Sequence, residues 1–425
     1  MRILHTSDWH LGAQLHDHSR LPEQEKFLEW LKALMIKERP DALIIAGDIF
    51  DSCAPSNTAQ NLYYDFLAAT FKETLCRTVV VIGGNHDSPS LLDAPGNALA
   101  HLHARVVGAV AYAEAENGEK APIFEKEVVV IPGVDGKPGL VVAAVPYLRD
   151  ADLRTSEALE TDSDRSEKLK RGFKEHYEAV AGLARQKAQL PDGGKLPLIL
   201  TGHLFLAGAT LAGDQSERAI QVGNLDSLEM ALLPSADYYA LGHLHSPQNV
   251  GGSETCRYSG APIPMSFGES RQTKSVAIVD LSSGSTASIR LVEIPKTQRL
   301  EQLKGSPEVI AEKLKELVAT RENIWVDIQV TEGDGDLSPC WSQYMAIAGG
   351  TDVRLLRRQN ARPGKEGSAL AVAFMDDTRL EDITPEKLFE MRLQDEALTE
   401  QEKSEYSIMF GEILRQFTEA DTNKE

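Results

Sequence analysis

The sequence predicts an α/β layered fold on two observations. Near-continuous apolar runs rich in β-branched residues recur through the first two thirds of the chain, and helix-like stretches separate several of them. The runs span Arg2–Thr6, Ala42–Ala46, Thr78–Ile82, 140–145, 196–201 and 237–241, and their continuity predicts strands covered on both faces. Between the first two, residues 23–36 put Phe27, Leu28, Leu31, Leu34 and Met35 at helical spacing. Residues 57–71 and 166–189 read as helices in the same way. The run LSSGST, centred on Gly284, predicts a turn that closes this region.

Beyond the turn the texture becomes that of a small α+β module. A strand is expected at 288–294. A helix opens at Ser306-Pro307-Glu308 and carries Ile310, Leu314, Leu317 and Val318 on one face, and strands follow at 324–331 and 353–358. Thr384-Pro385-Glu386 opens another helix. The capping box Thr399-Glu400-Gln401-Glu402 opens a last one, with a stripe through Tyr406, Met409, Phe410, Ile413, Leu414 and Phe417. The expected divisions are therefore 1–282, 283–380 and 381–425. Three parts suit a chain of 425 residues, which exceeds what one core usually organises.

Composition excludes several classes. A chain that is 42% hydrophobic and 25% charged is neither disordered nor fibrous. No window approaches the roughly 18 unbroken apolar residues of a membrane span. Met1 leads straight into Arg2 and a strand-like run, so a cytoplasmic protein is expected. Cys53, Cys76, Cys256 and Cys340 lie far apart without a CxxC pair and read as packing thiols. The 64 acidic against 44 basic residues give a net charge of −20, which argues against coating nucleic acid through the overall field. A local metal charge or a basic partner can still serve a nucleic-acid enzyme.

The chemistry gathers after the strands. Asp8-Trp9-His10, Gly47-Asp48, Gly83-Gly84-Asn85-His86-Asp87, Gly202-His203 and Gly242-His243-Leu244-His245 each follow an apolar run, and strand carboxyl ends are where α/β sheets bind ligands. Five of eleven histidines lie in these motifs. Their concentration at five strand ends points to a metal crevice rather than to isolated structural histidines. Imidazole, carboxylate and amide oxygen without thiolate suit Mn²⁺, Fe²⁺ or Zn²⁺. Seven candidate ligands (Asp8, His10, Asp48, Asn85, His203, His243, His245) are too many for one ion, and a carboxylate such as Asp48 can bridge two. Two dications against the charges of Asp8 and Asp48 leave the site positive, a match for a phosphate.

The motif order D-x-H, GD, GNHD, GH, GHxH resembles that of the calcineurin-like metallophosphoesterases. MRILHTSDWHLG, GDIFDS, ADYYALGHLH and RYSGAPIPMSF narrow the likeness, over roughly residues 1–280, to the SbcD family of bacterial nuclease subunits. The resemblance implies a sandwich of β-sheets flanked by helices, a capping domain, and terminal helices that dock on the coiled-coil base of an SbcC-type ATPase. It also implies a homodimer within a heterotetramer. One ion would be held by Asp8, His10, Asp48 and His245 and the other by Asp48, Asn85, His203 and His243, both Mn²⁺, with His86 as the catalytic histidine giving a proton to the leaving 3′ oxygen. The implied activity is exonuclease on duplex ends and endonuclease on hairpins and single strands, in repair, recombination and replication. Where archaeal and eukaryotic relatives usually carry a second histidine stands Asp51, to which no catalytic role is carried over. His5, His16, His18, His101, His103 and His176 read as structural or surface residues.

Two rivals remain: a two-metal phosphodiesterase or phosphatase for small nucleotides, and a non-catalytic scaffold for DNA or the ATPase. The extra module weighs against the first and the intact ligand set against the second. The chain holds no GxxxxGK[ST] loop, so ATP use falls to a partner. Arg354, Arg357, Arg358, Arg362 and Lys365 form a basic cluster that fits DNA phosphates and a solvated edge strand equally well.

Overall fold

A computed structural model describes residues 1–114, 120–154, 161–209, 228–331, 338–360 and 410. The expected terminal helices, and Arg362 and Lys365 of the basic cluster, lie outside the described residues.

Two six-stranded sheets form the larger of two compact units, which comprises Met1–Leu303, Lys313–Ile328 and Tyr344–Arg357. The first sheet contains β1 (Arg2–Thr6), β2 (Ala42–Ala46), β3 (Thr78–Ile82) and β4 (Ala104–Val107), all parallel in that order. The second contains β5 (Val128–Pro132), β6 (Pro138–Ala143), β7 (Leu198–His203) and β8 (Tyr238–Gly242), of which β6, β7 and β8 are parallel. Its other edge is made by β9 (Gln248–Asn249) and β10 (Cys256–Tyr258). The first sheet is completed by β11 (Ser275–Asp280), antiparallel to β1, and β12 (Ser288–Glu293), antiparallel to β11.

The sheets face one another. Ile3, Ile44, Val80 and Ile82 of the first meet Ile131, Val142, Ile199 and Ala240 of the second in one buried cluster. The outer face of the first sheet is covered by α1 (Leu21–Glu38) and α2 (Asn57–Glu73) through Phe27, Leu31, Met35, Tyr63 and Leu67. The outer face of the second is covered by α3 (Asp162–Ala188) through Leu169, Phe173, Tyr177 and Val180. The result is four layers, helix, sheet, sheet, helix, which explains why every central strand is apolar on both faces.

Helix limits follow local chemistry. Pro22 sits in the first turn of α1 and left-handed Arg39 (φ 51°) ends it. The Ser56 hydroxyl accepts from Ala59 N (3.2 Å) to start α2, and Thr161 and Asp164 form a capping box at α3.

Residues after the Gly284 turn depart from the expected arrangement. The strand expected to open the small module is β12, the edge of the first sheet, because 283–285 form a tight turn (Gly284 φ 73°) that returns the chain along β11. A three-stranded sheet follows in the order β13 (Arg299–Gly305), β14 (Ile324–Val330), β15 (Val353–Asn360). Within the larger unit Leu300 and Trp325 of this sheet are buried with Leu15 and Phe267, and the Arg20 guanidinium lies 5.7 Å from the Trp325 ring centre. The smaller unit includes Lys304–Glu312, with the first turns of α4 (Pro307–Ala319), and Gln329–Gln343, with the first half of α5 (Ser338–Ala348). Among the described residues no helix is long and apolar enough to cross a membrane.

Candidate metal centre

All five motifs stand at the carboxyl ends of strands, divided between the sheets. Asp8 and His10 follow β1, Asp48 follows β2, and Asn85 and His86 follow β3. His203 ends β7, and His243 and His245 follow β8. The crevice is therefore made where two facing sheets end together, not at a switch point within one open sheet. Asp8, His10, Asp48, His203, His243 and His245 are buried, and Asn85 and His86 are partly exposed.

The backbone at these positions is unusual. Asp8 (φ 52°), His10 (φ 45°), Asp48 (φ 49°) and His243 (φ 103°) all have positive φ, a region that costs non-glycine residues on the order of 1–3 kcal/mol each. Hydrogen bonds between the loops hold them there. Asp8 N and His10 N donate to Gly47 O and Asp48 O (3.0 Å each), and Gln24 Nε2 donates to His10 O (2.6 Å). The Asp87 carboxylate accepts from Ile49 N, Phe50 N and Gly84 N at 2.8–3.1 Å, locking the second motif to the third. Glycine is required where the loops touch. A Cβ on Gly84 would lie 2.1 Å from Asp48 Oδ1, and one on Gly47 (φ 89°) would lie 2.2 Å from His203 Nδ1.

The donor atoms converge in two groups. In the first, Asp8, His10 and Asp48 offer atoms within 4.8 Å of one another, and His245 Nε2 faces His10 Nε2 at 3.2 Å. In the second, Asn85 Oδ1 lies 3.0 Å from His203 Nε2 and 3.1 Å from His243 Nδ1. Asp48 Oδ2 stands between the groups, 3.7 Å from His10 Nε2 and 3.2 Å from His203 Nε2. Donors bound at about 2.1 Å and at right angles around an ion are about 3.0 Å apart, so these spacings fit divalent cations.

The histidine tautomers support the same fit. His10 Nδ1 faces Asp51 Oδ1 at 3.5 Å and His245 Nδ1 faces Glu269 Oε1 at 3.4 Å, so each ring keeps its proton on Nδ1. Their Nε2 atoms then face each other across 3.2 Å, close enough for one divalent cation to be held by both. His203 is oriented by Ala46 O, 3.0 Å from its Nδ1.

Charge completes the picture. Burial alone would lower His10 and His203, but Asp51, Asp48 and Asp8 bring His10 up to about 9, and Asp48 and Asp8 do the same for His203. Burial would raise Asp48, yet His203, His10 and His86 hold it far below the usual carboxylate range. Asp8 is raised by burial and by Asp48. Without metal the pocket thus gathers protons, as expected of two buried carboxylates that require nearby cations.

His86 stands apart from the donor groups. Its backbone N donates to Asp48 Oδ1 (3.0 Å), its Nδ1 lies 2.8 Å from Asp51 O, and its ring packs edge-on against His10 at 5.0 Å. Two contributors lie outside the motifs, Gln24 and Glu269, which support His10 and His245, while Asp87 stands in a motif that gives no sign of its structural role. Of the six other histidines, His5 pairs with the Tyr238 hydroxyl at 3.0 Å and His176 with Glu127 at 2.8 Å, both buried. Cys76 and Cys256 are buried thiols, Cys340 is partly buried, and Cys53 is exposed rather than packed in the core.

A four-layer α/β sandwich with His, Asp and Asn donors at five strand ends defines a metallophosphoesterase. The family model described as calcineurin-like phosphoesterase matches residues 1–247, and the one described as type 5 capsule protein repressor C-terminal domain matches 296–397. The SbcD chain of nuclease SbcCD from Escherichia coli K12 is 33% identical over 417 residues, covering 97% of this chain and 98% of that protein. The SbcD chains of nuclease SbcCD from Bacillus subtilis 168 and Rhodobacter capsulatus are 34% and 33% identical, over 79% and 73% of this chain and 80% and 75% of theirs. The chain belongs to the SbcD family of the calcineurin-like phosphoesterases.

Proposed function

We propose that this chain is the metal-dependent DNA nuclease subunit of an SbcCD-type complex. It would hydrolyse phosphodiester bonds at duplex ends as an exonuclease and in hairpins or single strands as an endonuclease, together with an SbcC-type ATPase. The observation that carries the reading is the convergence of seven donors from both sheets, in a chain related over nearly its full length to nuclease subunits. Asp8, His10, Asp48 and His245 would hold one divalent ion and Asp48, Asn85, His203 and His243 the other; the thiolate-free donor set suits Mn²⁺, Fe²⁺ or Zn²⁺, and Mn²⁺ is the ion the family resemblance implies. Bound there, the ions supply Lewis acidity and positive charge to a phosphate in an otherwise acidic protein.

The remaining work falls to the chain itself. Asp48 and Asp51 fix His86 by its backbone N and its Nδ1, which leaves Nε2 free to face the substrate. The ring in its doubly protonated form would deliver the Nε2 proton to the departing 3′ oxygen and remain as the neutral Nδ1–H imidazole. Burial of six donors excludes bulk water from the donor groups, and the partly exposed Asn85 and His86 mark the side from which substrate enters. The module that follows β12, up to residue 380, would cap the DNA, and 381–425 would dock on the base of the ATPase coiled coil within a heterotetramer containing two copies of this chain.

The test is to give the purified chain Mn²⁺ with end-labelled duplex, hairpin and a small phosphodiester, with and without the ATPase. Metal-dependent cutting of the DNA substrates is expected. Cleavage of the small ester alone would support the rival small-nucleotide phosphodiesterase instead.

A further inference from the structure

The segment RYSGAPIPMSF follows the last motif and holds none of the seven donors. In the structure it grips His245. Gly260 (φ 78°) passes so close that a Cβ there would lie 2.6 Å from His245 O, and that carbonyl accepts from Ala261 N (3.0 Å) and Lys274 Nζ (2.9 Å). The chain then turns through a short 3₁₀ helix, Phe267–Glu269, which delivers Glu269 to the ring of the same histidine.

We propose that Glu269 is a positioning residue of the metal centre: its buried carboxylate fixes the His245 ring through Nδ1 and presents Nε2 to the ion shared with Asp8, His10 and Asp48. The inference rests on the two-ion reading above. Glu269 is fully buried, and its Oε2 is satisfied by Lys274 Nζ (2.5 Å) and Met265 N (3.2 Å). Oε1 accepts no hydrogen bond from any other group among the described residues, and what it faces is His245 Nδ1 at 3.4 Å. An ion pair serving only the fold would have no reason to leave a buried oxygen aimed at a ligand ring. Lys274 holds both ends of the arrangement, since it pairs with Glu269 and also donates to the His245 carbonyl.

The two ions would feel this device unequally. His10 and His245 are backed by carboxylates, from Asp51 and Glu269, whereas His203 is backed by the neutral Ala46 carbonyl. A carboxylate behind a ligand imidazole fixes its tautomer and raises its basicity, and losing one typically costs about 10–100-fold in metal affinity.

The experiment titrates Mn²⁺ into the chelator-stripped full chain and reads free Mn²⁺ by its paramagnetic resonance signal, so no activity is needed. The wild type should bind two ions. Glu269→Gln should weaken one of them about 10–100-fold and leave the other unchanged. Because Gln alone strands the Lys274 charge, Glu269→Gln with Lys274→Met removes the pair as a unit and should show the same one-site loss. The proposal is overturned if both variants bind two ions as tightly as the wild type, if both sites weaken equally, or if neither variant folds. A wild type that takes up fewer than two ions would instead overturn the two-ion reading itself.

Discussion

Gly242→Ala is expected to disable the centre without replacing a ligand. Gly242 ends β8 where the second sheet passes close against the first. A Cβ there would lie 1.8 Å from Ala46 O, the last residue of β2, and 3.0 Å from His203 Nδ1. Real Cβ contacts stop near 3.0 Å, so the two strand ends must separate by at least about 1.2 Å. Ala46 O is also the acceptor that orients His203, so the added methyl displaces the group that aims a ligand. Overpacking of this kind costs about 1–3 kcal/mol of stability. A displacement of about 1 Å at reacting groups lowers a rate on the order of 10²-fold. The assay measures thermal unfolding, Mn²⁺ stoichiometry and phosphodiester turnover on the same preparation. The expected outcome is a folded, slightly destabilised protein with turnover down by about that factor and weakened uptake of the ion assigned to His203. Unchanged turnover and metal content would refute the claim that contact between the sheet ends sets the donor geometry.

His86→Ala should keep both ions and lose about 10²–10⁴-fold in turnover, while Asp48→Ala should lose metal as well as activity; metal analysis beside kinetics separates the two, and loss of metal in His86→Ala would make that residue a ligand. In chelator, His10 and His203 titrate near 9 against an ordinary value of 6.5, so the stability they lend is complete below pH 6.5 and is lost as pH rises through 9. Melting temperatures of the metal-free chain should therefore fall across that window, and a rise would contradict the charge assignment. Removing residues 384–425 should leave hydrolysis of a small phosphodiester intact and abolish binding to the ATPase, which co-purification would reveal.

The site is legible in the sequence because its chemistry sits in short motifs directly after apolar strands. β1, β2 and β3 match their apolar runs to the residue, since those runs are bounded by charged or glycine-containing loops. Apolar continuity does not say which sheet a strand joins, so the division of the five motifs between two sheets is hidden, and β12 reads as part of the next module. The left-handed backbone at Asp8, His10 and Asp48 carries no sequence signal either, because none of the three is a glycine and hydrogen bonds between segments distant in sequence hold them there. α5 has no helical signature because its only buried positions are Tyr344 and Ala348, too few for a stripe. Glu269 is invisible for a different reason: it lies 24 residues beyond His245, on a loop whose path only the tertiary structure defines.

The central claim is that seven residues from two sheets hold two divalent ions. An anomalous-scattering map of crystals grown in saturating Mn²⁺ tests it directly. Two peaks are expected: one bound by Asp8, His10 and His245, one bound by Asn85, His203 and His243, and Asp48 on both. A single peak, or ions placed away from these side chains, would contradict it.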